Sequence, residues 1–207
     1  MDTAFRENRE MSENKEELVV KNIVFVGDGA VGKTSILYAY SNQGEFRISY
    51  VPTIFDRDET ELTLDNVKHL VKLHDTAGQE DFERLRKIVY KEADCFVLCY
   101  SISDRKSFNN ISNKWEPELR PYKKPIVLVG TKSDLTVGIN IVQEEEGERL
   151  KRKINANQFL ECSSKHNENI NEVIYEAIRA AVVGPPEPPE TSCCTSILKW
   201  FRCFNDE

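Results

Sequence analysis

The 207 residues, 40% of them hydrophobic, suffice for one domain with a sizeable core and something left over. A formal net charge of −7 leaves no basic stripe of the kind a general nucleic-acid-binding surface needs, so no nucleic-acid partner is expected. Of six cysteines, Cys95, Cys99 and Cys162 lie in or beside apolar runs and read as buried thiols, while Cys193, Cys194 and Cys203 crowd the C-terminus; this is no disulfide framework, and no CxxC pair suggests zinc.

In chain order, residues 1–17 are charged and nearly devoid of a core face, which reads as a disordered extension. They hold no apolar h-region, and no run approaches the length needed to span a bilayer, so a cytoplasmic protein is expected. From residue 18 to about 183, short apolar runs alternate with amphipathic ones. LVVKNIVFVG, VKHLVKLHD, CFVLCYS, PIVLVGTK and NQFLECSS read as strands, most of them continuously apolar, as a parallel sheet covered on both faces requires. Helical patterns fall at Lys33 to Ser41, Asp81 to Tyr90, Ser103 to Leu119, Val142 to Ala156 and Asn169 to Val182. Between Asp56 and Asp75 two strand-like runs flank Leu64-Asp65-Asn66 with no room for a crossover helix, so an antiparallel hairpin is expected there. The fold class is therefore α/β: a three-layer domain over a mixed, mostly parallel six-stranded sheet with one antiparallel edge strand and about five helices. Beyond residue 183, GPPEPPETS reads as an extended linker, followed by an apolar tail bearing the last three cysteines.

Three motifs carry chemistry. Gly27-Asp28-Gly29-Ala30-Val31-Gly32-Lys33-Thr34 fits G-x-x-x-x-G-K-[ST] between a strand and a helix. Its curled backbone turns successive N–H groups toward phosphate oxygens, and the following helix adds its positive end. Lys33 would reach the β- and γ-phosphates, the Thr34 hydroxyl would ligate Mg²⁺, and Ser35 completes the cradle. Asp75-Thr76-Ala77-Gly78-Gln79 ends an apolar strand, where Asp75 would hold the magnesium's water shell, Gly78 would offer its N–H to the γ-phosphate, and Gln79 would orient a water. Thr131-Lys132-Ser133-Asp134 follows another apolar strand. The Asp134 carboxylate can accept two hydrogen bonds side by side, which suits the adjacent ring and exocyclic N–H donors of guanine and not adenine. Ser163, Ser164 and Lys165 end the last strand, where backbone N–H groups would meet guanine O6.

With these motifs in this order, residues 20–182 resemble the small GTPases, and within them the Rho/Rac family: GDGAVGKTS, YVPTIFD, DTAGQEDFERLR, KWEPEL, VGTKSDL and EAIRA carry the likeness. The resemblance implies a molecular switch that cycles between GTP- and GDP-bound states by slow Mg²⁺-dependent hydrolysis and meets effectors in its GTP state. It implies that residues 50–56 are switch I, in which Tyr50 lines the nucleotide and Thr53 ligates Mg²⁺ and meets the γ-phosphate. It implies that 75–86 are switch II, with Gln79, Lys33 and Thr53 as the catalytic set, and that Phe46 packs edge-on against the base. A guanine-nucleotide exchange factor, a GTPase-activating protein supplying an arginine, and effectors follow as partners of a monomer, in signalling to the actin cytoskeleton.

Three features depart from that family. His74 stands where a tryptophan that helps select the exchange factor is usual, and reads as a half-buried structural residue. The segment from Asp134 to Glu161 is short by about an insert helix, leaving one solvated helix with Glu145–Arg149 and Glu148–Arg152 pairs. Cys203 is followed by four residues, out of register for C-a-a-X prenylation, and the polybasic stretch is absent. S-acylation at Cys193, Cys194 or Cys203, with interfacial aromatics, would still give peripheral membrane contact. Trp115 with Pro117 reads as a helix kink packed on the domain surface. Two other readings are a nucleotide-loaded pseudo-GTPase acting as a binding module, disfavoured by Gly29, Thr53 and Gln79, and a P-loop kinase, disfavoured by Asp134.

Overall fold

The structure is a computed structural model and describes residues 18–46, 55–64, 66–78, 82–138 and 140–187. Its six strands are β1 (Val19–Gly27), β2 (Phe55–Leu64), β3 (Val67–Thr76), β4 (Cys95–Ser101), β5 (Ile126–Thr131) and β6 (Gln158–Cys162). They form one sheet in the order β2-β3-β1-β4-β5-β6. Only β2 runs antiparallel, pairing with β3 from Phe55 opposite Thr76 to Leu64 opposite Val67, which is the expected hairpin. The helices are α1 (Lys33–Ser41), α2 (Glu83–Glu92), α3 (Arg105–Asn110), α4 (Glu116–Leu119), α5 (Glu144–Ile154) and α6 (Ile170–Val183). A π turn, Ile111–Trp115, joins α3 to α4, so the run expected as one helix bulges in its middle.

Continuous apolar strands arise because both faces of the sheet are covered. Along β4, Cys95, Val97 and Cys99 enter one core with α1 and α6, while Phe96, Leu98 and Tyr100 enter the other with Tyr90, Ile111, Trp115 and Leu150. Burial in these apolar layers holds the Cys95 and Cys162 thiols well above the usual range and pushes Cys99 up to about 12, so all three stay protonated and serve as packing. Trp115 is 0% exposed, which corrects its expected place at the surface. His74 is 1% exposed rather than half-buried, with Nε2 3.1 Å from Asn22 Oδ1.

Between β5 and β6 stands the single helix α5, with no insert helix among the described residues. Its Glu148–Arg152 pair forms at 3.8 Å, but no ion pair joins Glu145 to Arg149 among the described residues. The start of α5 is fixed instead by a capping box between Gln143 and Glu146. Arg105 of α3 grips the same Glu146 carboxylate at 2.7 and 3.0 Å. No helix among the described residues is long and apolar enough to cross a membrane.

Candidate functional site

In the sheet order β1 lies between β3 and β4, so the chain's winding reverses there and the loops leaving β1, β3, β5 and β6 gather at one edge. The loop after β1 is cramped by design. Gly27 has φ 143°, and a Cβ on it would stand 2.2 Å from the Cys99 carbonyl oxygen, so no side chain fits. Gly32 follows at φ 109° as the N-terminal cap of α1 and, being glycine, caps its first amides with no side chain of its own. Those N–H groups, with the dipole behind them, form an anion seat.

Lys33 is 5% exposed, and its Nζ donates to the Gly27 and Asp28 carbonyls at 2.8 and 2.7 Å. Burial holds its pKa below the ordinary lysine value, while the nearby Asp75 charge opposes that shift. Thr34 Oγ1 donates to Asp75 Oδ2 at 2.5 Å. Two hard oxygen donors, from the first turn of α1 and from β3, thus meet where Mg²⁺ was expected, a donor set that suits that ion. Gly78 packs onto the loop itself: a Cβ there would come within 2.3 Å of Asp28 C and Gly29 N. Its lack of a side chain serves contact with the cradle backbone, which adds to the role expected from sequence.

At the other side of the edge, Asp134 is fixed by Ser163, whose Oγ donates to Oδ1 at 2.7 Å. Lys165 Nζ lies 4.0 Å from the second oxygen. Ser163 is fully buried and Ser164 is 9% exposed, so Ser163 acts on the site by orienting Asp134. Lys132, at φ 60°, sends its Nζ across to the Ala30 carbonyl at 2.9 Å, tying this loop to the first. Thr131 is 2% exposed, and its hydroxyl bonds to the Val31 and Tyr100 carbonyls. It braces β5 against the cradle. Val31 is likewise buried, at 2%, and contributes backbone alone. Gly29 and Ala30 are exposed at the loop's crest, Ser35 is half-buried behind Thr34, and Phe46 is 43% exposed. Tyr50, Thr53, Gln79, Cys193, Cys194 and Cys203 lie outside the described residues.

Three residues enter that the sequence did not single out for the site, Asn110, Trp115 and Arg86. Asp28, expected to contribute backbone, directs its carboxylate away from the loop: Oδ1 accepts from Trp115 Nε1 at 2.7 Å and Oδ2 from Asn110 Nδ2 at 2.6 Å. Arg86, in the stretch expected as switch II, lies 5.0 Å over the Trp115 ring and donates from Nη1 to the Ala77 carbonyl at 2.9 Å. The available cue was Trp115 itself, a large indole whose N–H needs a partner when buried.

A sequence model of the Ras family matches residues 22–182, which span every strand but the start of β1 and nearly all of α6. Among curated proteins, the chain is 43% identical over 175 residues to "Ras-like GTP-binding protein RhoL" of Drosophila melanogaster, covering 83% of this chain and 92% of that protein. The family match spans the phosphate cradle, the carboxylate-bearing loop and nearly the whole sheet, and the chain belongs to the Ras family: it is a small GTP-binding protein, a GTPase that acts as a molecular switch.

Proposed function

We propose that this GTPase is a Rho-type switch whose guanine nucleotide lies across the gathered loop edge, phosphates on the Gly27–Thr34 cradle and base against Asp134. The observation that carries the reading is the Asp134–Ser163 pair. One carboxylate oxygen accepts a hydrogen bond at 2.7 Å, which fixes the plane of the group for the paired N–H donors of guanine. Lys132 and Lys165 flank it with positive charge. At the phosphate end, backbone N–H groups of residues 29–35 and the Lys33 ammonium bind and orient the β- and γ-phosphates. Thr34 and Asp75, joined in the switch-I segment by Thr53, would hold Mg²⁺, which when bound neutralises charge on the phosphate oxygens. Gln79 positions the attacking water, and the Gly78 N–H meets the γ-phosphate.

Proteins of the Ras family work with exchange factors, GTPase-activating proteins and effectors. We assign those contacts here to residues 50–56 and 75–86, in signalling to the actin cytoskeleton. The name of the Drosophila relative and the motifs GDGAVGKTS and KWEPEL support the Rho assignment. The GTPase domain runs from 18 to 183, after an N-terminal extension (1–17). Residues 184–207 form a linker and a tail that touches the cytoplasmic face of a membrane through acylated Cys193, Cys194 or Cys203.

Purified protein loaded with GTP and Mg²⁺, followed by chromatography of the bound nucleotide after denaturation, tests the switch. Slow conversion to bound GDP is expected. GTP that persists unhydrolysed would replace the cycling switch with a permanently loaded binding module.

A further inference from the structure

The tip of the phosphate cradle is held from a distance. Both oxygens of Asp28 are taken by side chains of the segment that follows β4, Asn110 at 2.6 Å and Trp115 at 2.7 Å. Those two residues are five positions apart, and on an α-helix that spacing leaves them about 140° apart around the axis. The π turn Ile111–Trp115 narrows that difference: the Glu116 N–H bonds to the Ile111 carbonyl, and the wider turn brings residues five apart closer to one face. The bulge thus has a visible result, a pair of donors aimed at one carboxylate.

The same indole extends the connection. Its N–H meets Asp28 while its ring lies under the Arg86 guanidinium at 5.0 Å. Arg86 is 2% exposed, donates to the Ala77 carbonyl at 2.9 Å, and is joined through Nε to Glu118 of α4 at 3.3 Å. Ala77 immediately precedes Gly78, whose Cα packs against the backbone of Asp28 and Gly29. Cradle, DTAG turn and the bulged helix therefore form a closed loop of contacts around the phosphate end of the site.

We propose that Asn110 and Trp115 are positioning residues for the nucleotide: through Asp28 they hold the cradle in its phosphate-binding shape and so slow nucleotide release. The inference rests on the guanine-nucleotide site proposed above. Hydrogen bonds to an ionised acceptor are the stronger kind, and a carboxylate that lost both would turn toward solvent and let the loop tip move with it. Neither residue touches the nucleotide in this scheme; both act through Asp28.

The chemistry supplies its own control. Asn110→Asp sets two carboxylates against each other and breaks the contact. Adding Asp28→Asn restores it with the roles exchanged: the amide introduced at position 28 donates to the carboxylate introduced at position 110, and its carbonyl oxygen still accepts from Trp115. The net charge is then that of the parent chain. Release of a fluorescent GDP analogue is measured with Mg²⁺ present, alongside melting of the GDP-bound and nucleotide-stripped proteins. N110D is expected to release GDP at least about tenfold faster, and D28N/N110D to return to within about threefold of the parent. A purely structural contact would lower both melting temperatures alike; the positioning role lowers that of the GDP-bound form more. Should N110D fail to fold, Asn110→Ala and Trp115→Phe, which keeps the ring under Arg86, are read by the same rate. Unchanged release from folded N110D, or from both substitutes, overturns the inference, as does a double variant that releases GDP as fast as N110D. A parent protein that binds no guanine nucleotide overturns the site reading beneath it instead.

Discussion

Asp134 is held by Ser163 through one oxygen, so the plane of its carboxylate is set before any ligand arrives. On the proposed reading, Asp134→Asn removes the charge and turns an N–H toward the guanine donors, leaving one of them facing another donor. GTP affinity should then fall about a hundredfold or more, measured by displacement of a labelled nucleotide; unchanged affinity would sink the base-reading role. Two other carboxylates make opposite demands on pH. The Arg105 guanidinium holds Glu146 below the usual carboxylate range, so the unfolded chain binds the extra proton and stability rises with pH across that range. Burial holds Glu161 above the usual range, with Glu144 and Glu145 adding to the shift, so the folded chain binds the extra proton and stability falls as pH rises. Glu161→Gln should therefore melt higher than the parent at pH 7, and that gap should close as pH drops below the carboxylate range. Glu146→Gln keeps the capping geometry but loses the charge, and should melt lower at pH 7, converging with the parent in acid. Melting curves that stay parallel across pH would refute both assignments.

At the scale of elements, strand identity was legible because burial on both faces selects for continuous apolar runs, and every expected strand formed within a residue or two of its expected ends. The hairpin was legible from the shortness of its connection. The π turn was not: an apolar period near 3.6 cannot signal one widened turn, and its result depends on a partner 82 and 87 residues away, at Asp28. For the same reason the cradle, a contiguous motif, was readable, while Asn110, Trp115 and Arg86 became visible only when the fold brought them to it. The bracing role of the Thr131 hydroxyl was hidden in the same way, since the carbonyls it bonds belong to Val31 and Tyr100. Gly147 shows how packing overrides propensity. Inside a helix, Gly→Ala is ordinarily favourable by about 1 kcal/mol. Here the added Cβ would stand 2.2 Å from Cζ of Phe159, where β6 passes under α5. Overpacking of that kind costs about 1–3 kcal/mol, so Gly147→Ala should be destabilising on balance. Denaturant titration checks this, and Gly147→Ala/Phe159→Leu should recover part of the loss by making room; a stabilised single variant would show that α5 can shift freely.

For the molecule as a whole, one sheet separates two cores, and the proposed site lies at the sheet's edge, rooted in the first core through Val31 of the cradle. It is built from the ends of four strands, β1, β3, β5 and β6, whose loops are tied by bonds that include Lys132 to Ala30, Thr131 to Val31, Thr34 to Asp75 and Ser163 to Asp134. Burial also disfavours the charge on Lys33, an effect which the nearby Asp75 opposes. A ligand carrying phosphates at one end and guanine at the other would bridge these loops and supply an anion for Lys33 and the N-terminal end of α1. Binding to the folded state alone stabilises it by mass action, about 2.7 kcal/mol at a hundredfold excess over Kd. For a chain of this size that corresponds to roughly 5–11 °C in melting temperature. Stripping nucleotide and Mg²⁺ with a chelator should lower melting by about that amount, and re-addition of GDP should restore it in a concentration-dependent way that ATP does not reproduce. Equal rescue by ATP would place the binding energy in the phosphate cradle alone and remove the base loop from the account. No change on stripping would mean that the two cores and the loop ties already hold the site in shape without its ligand.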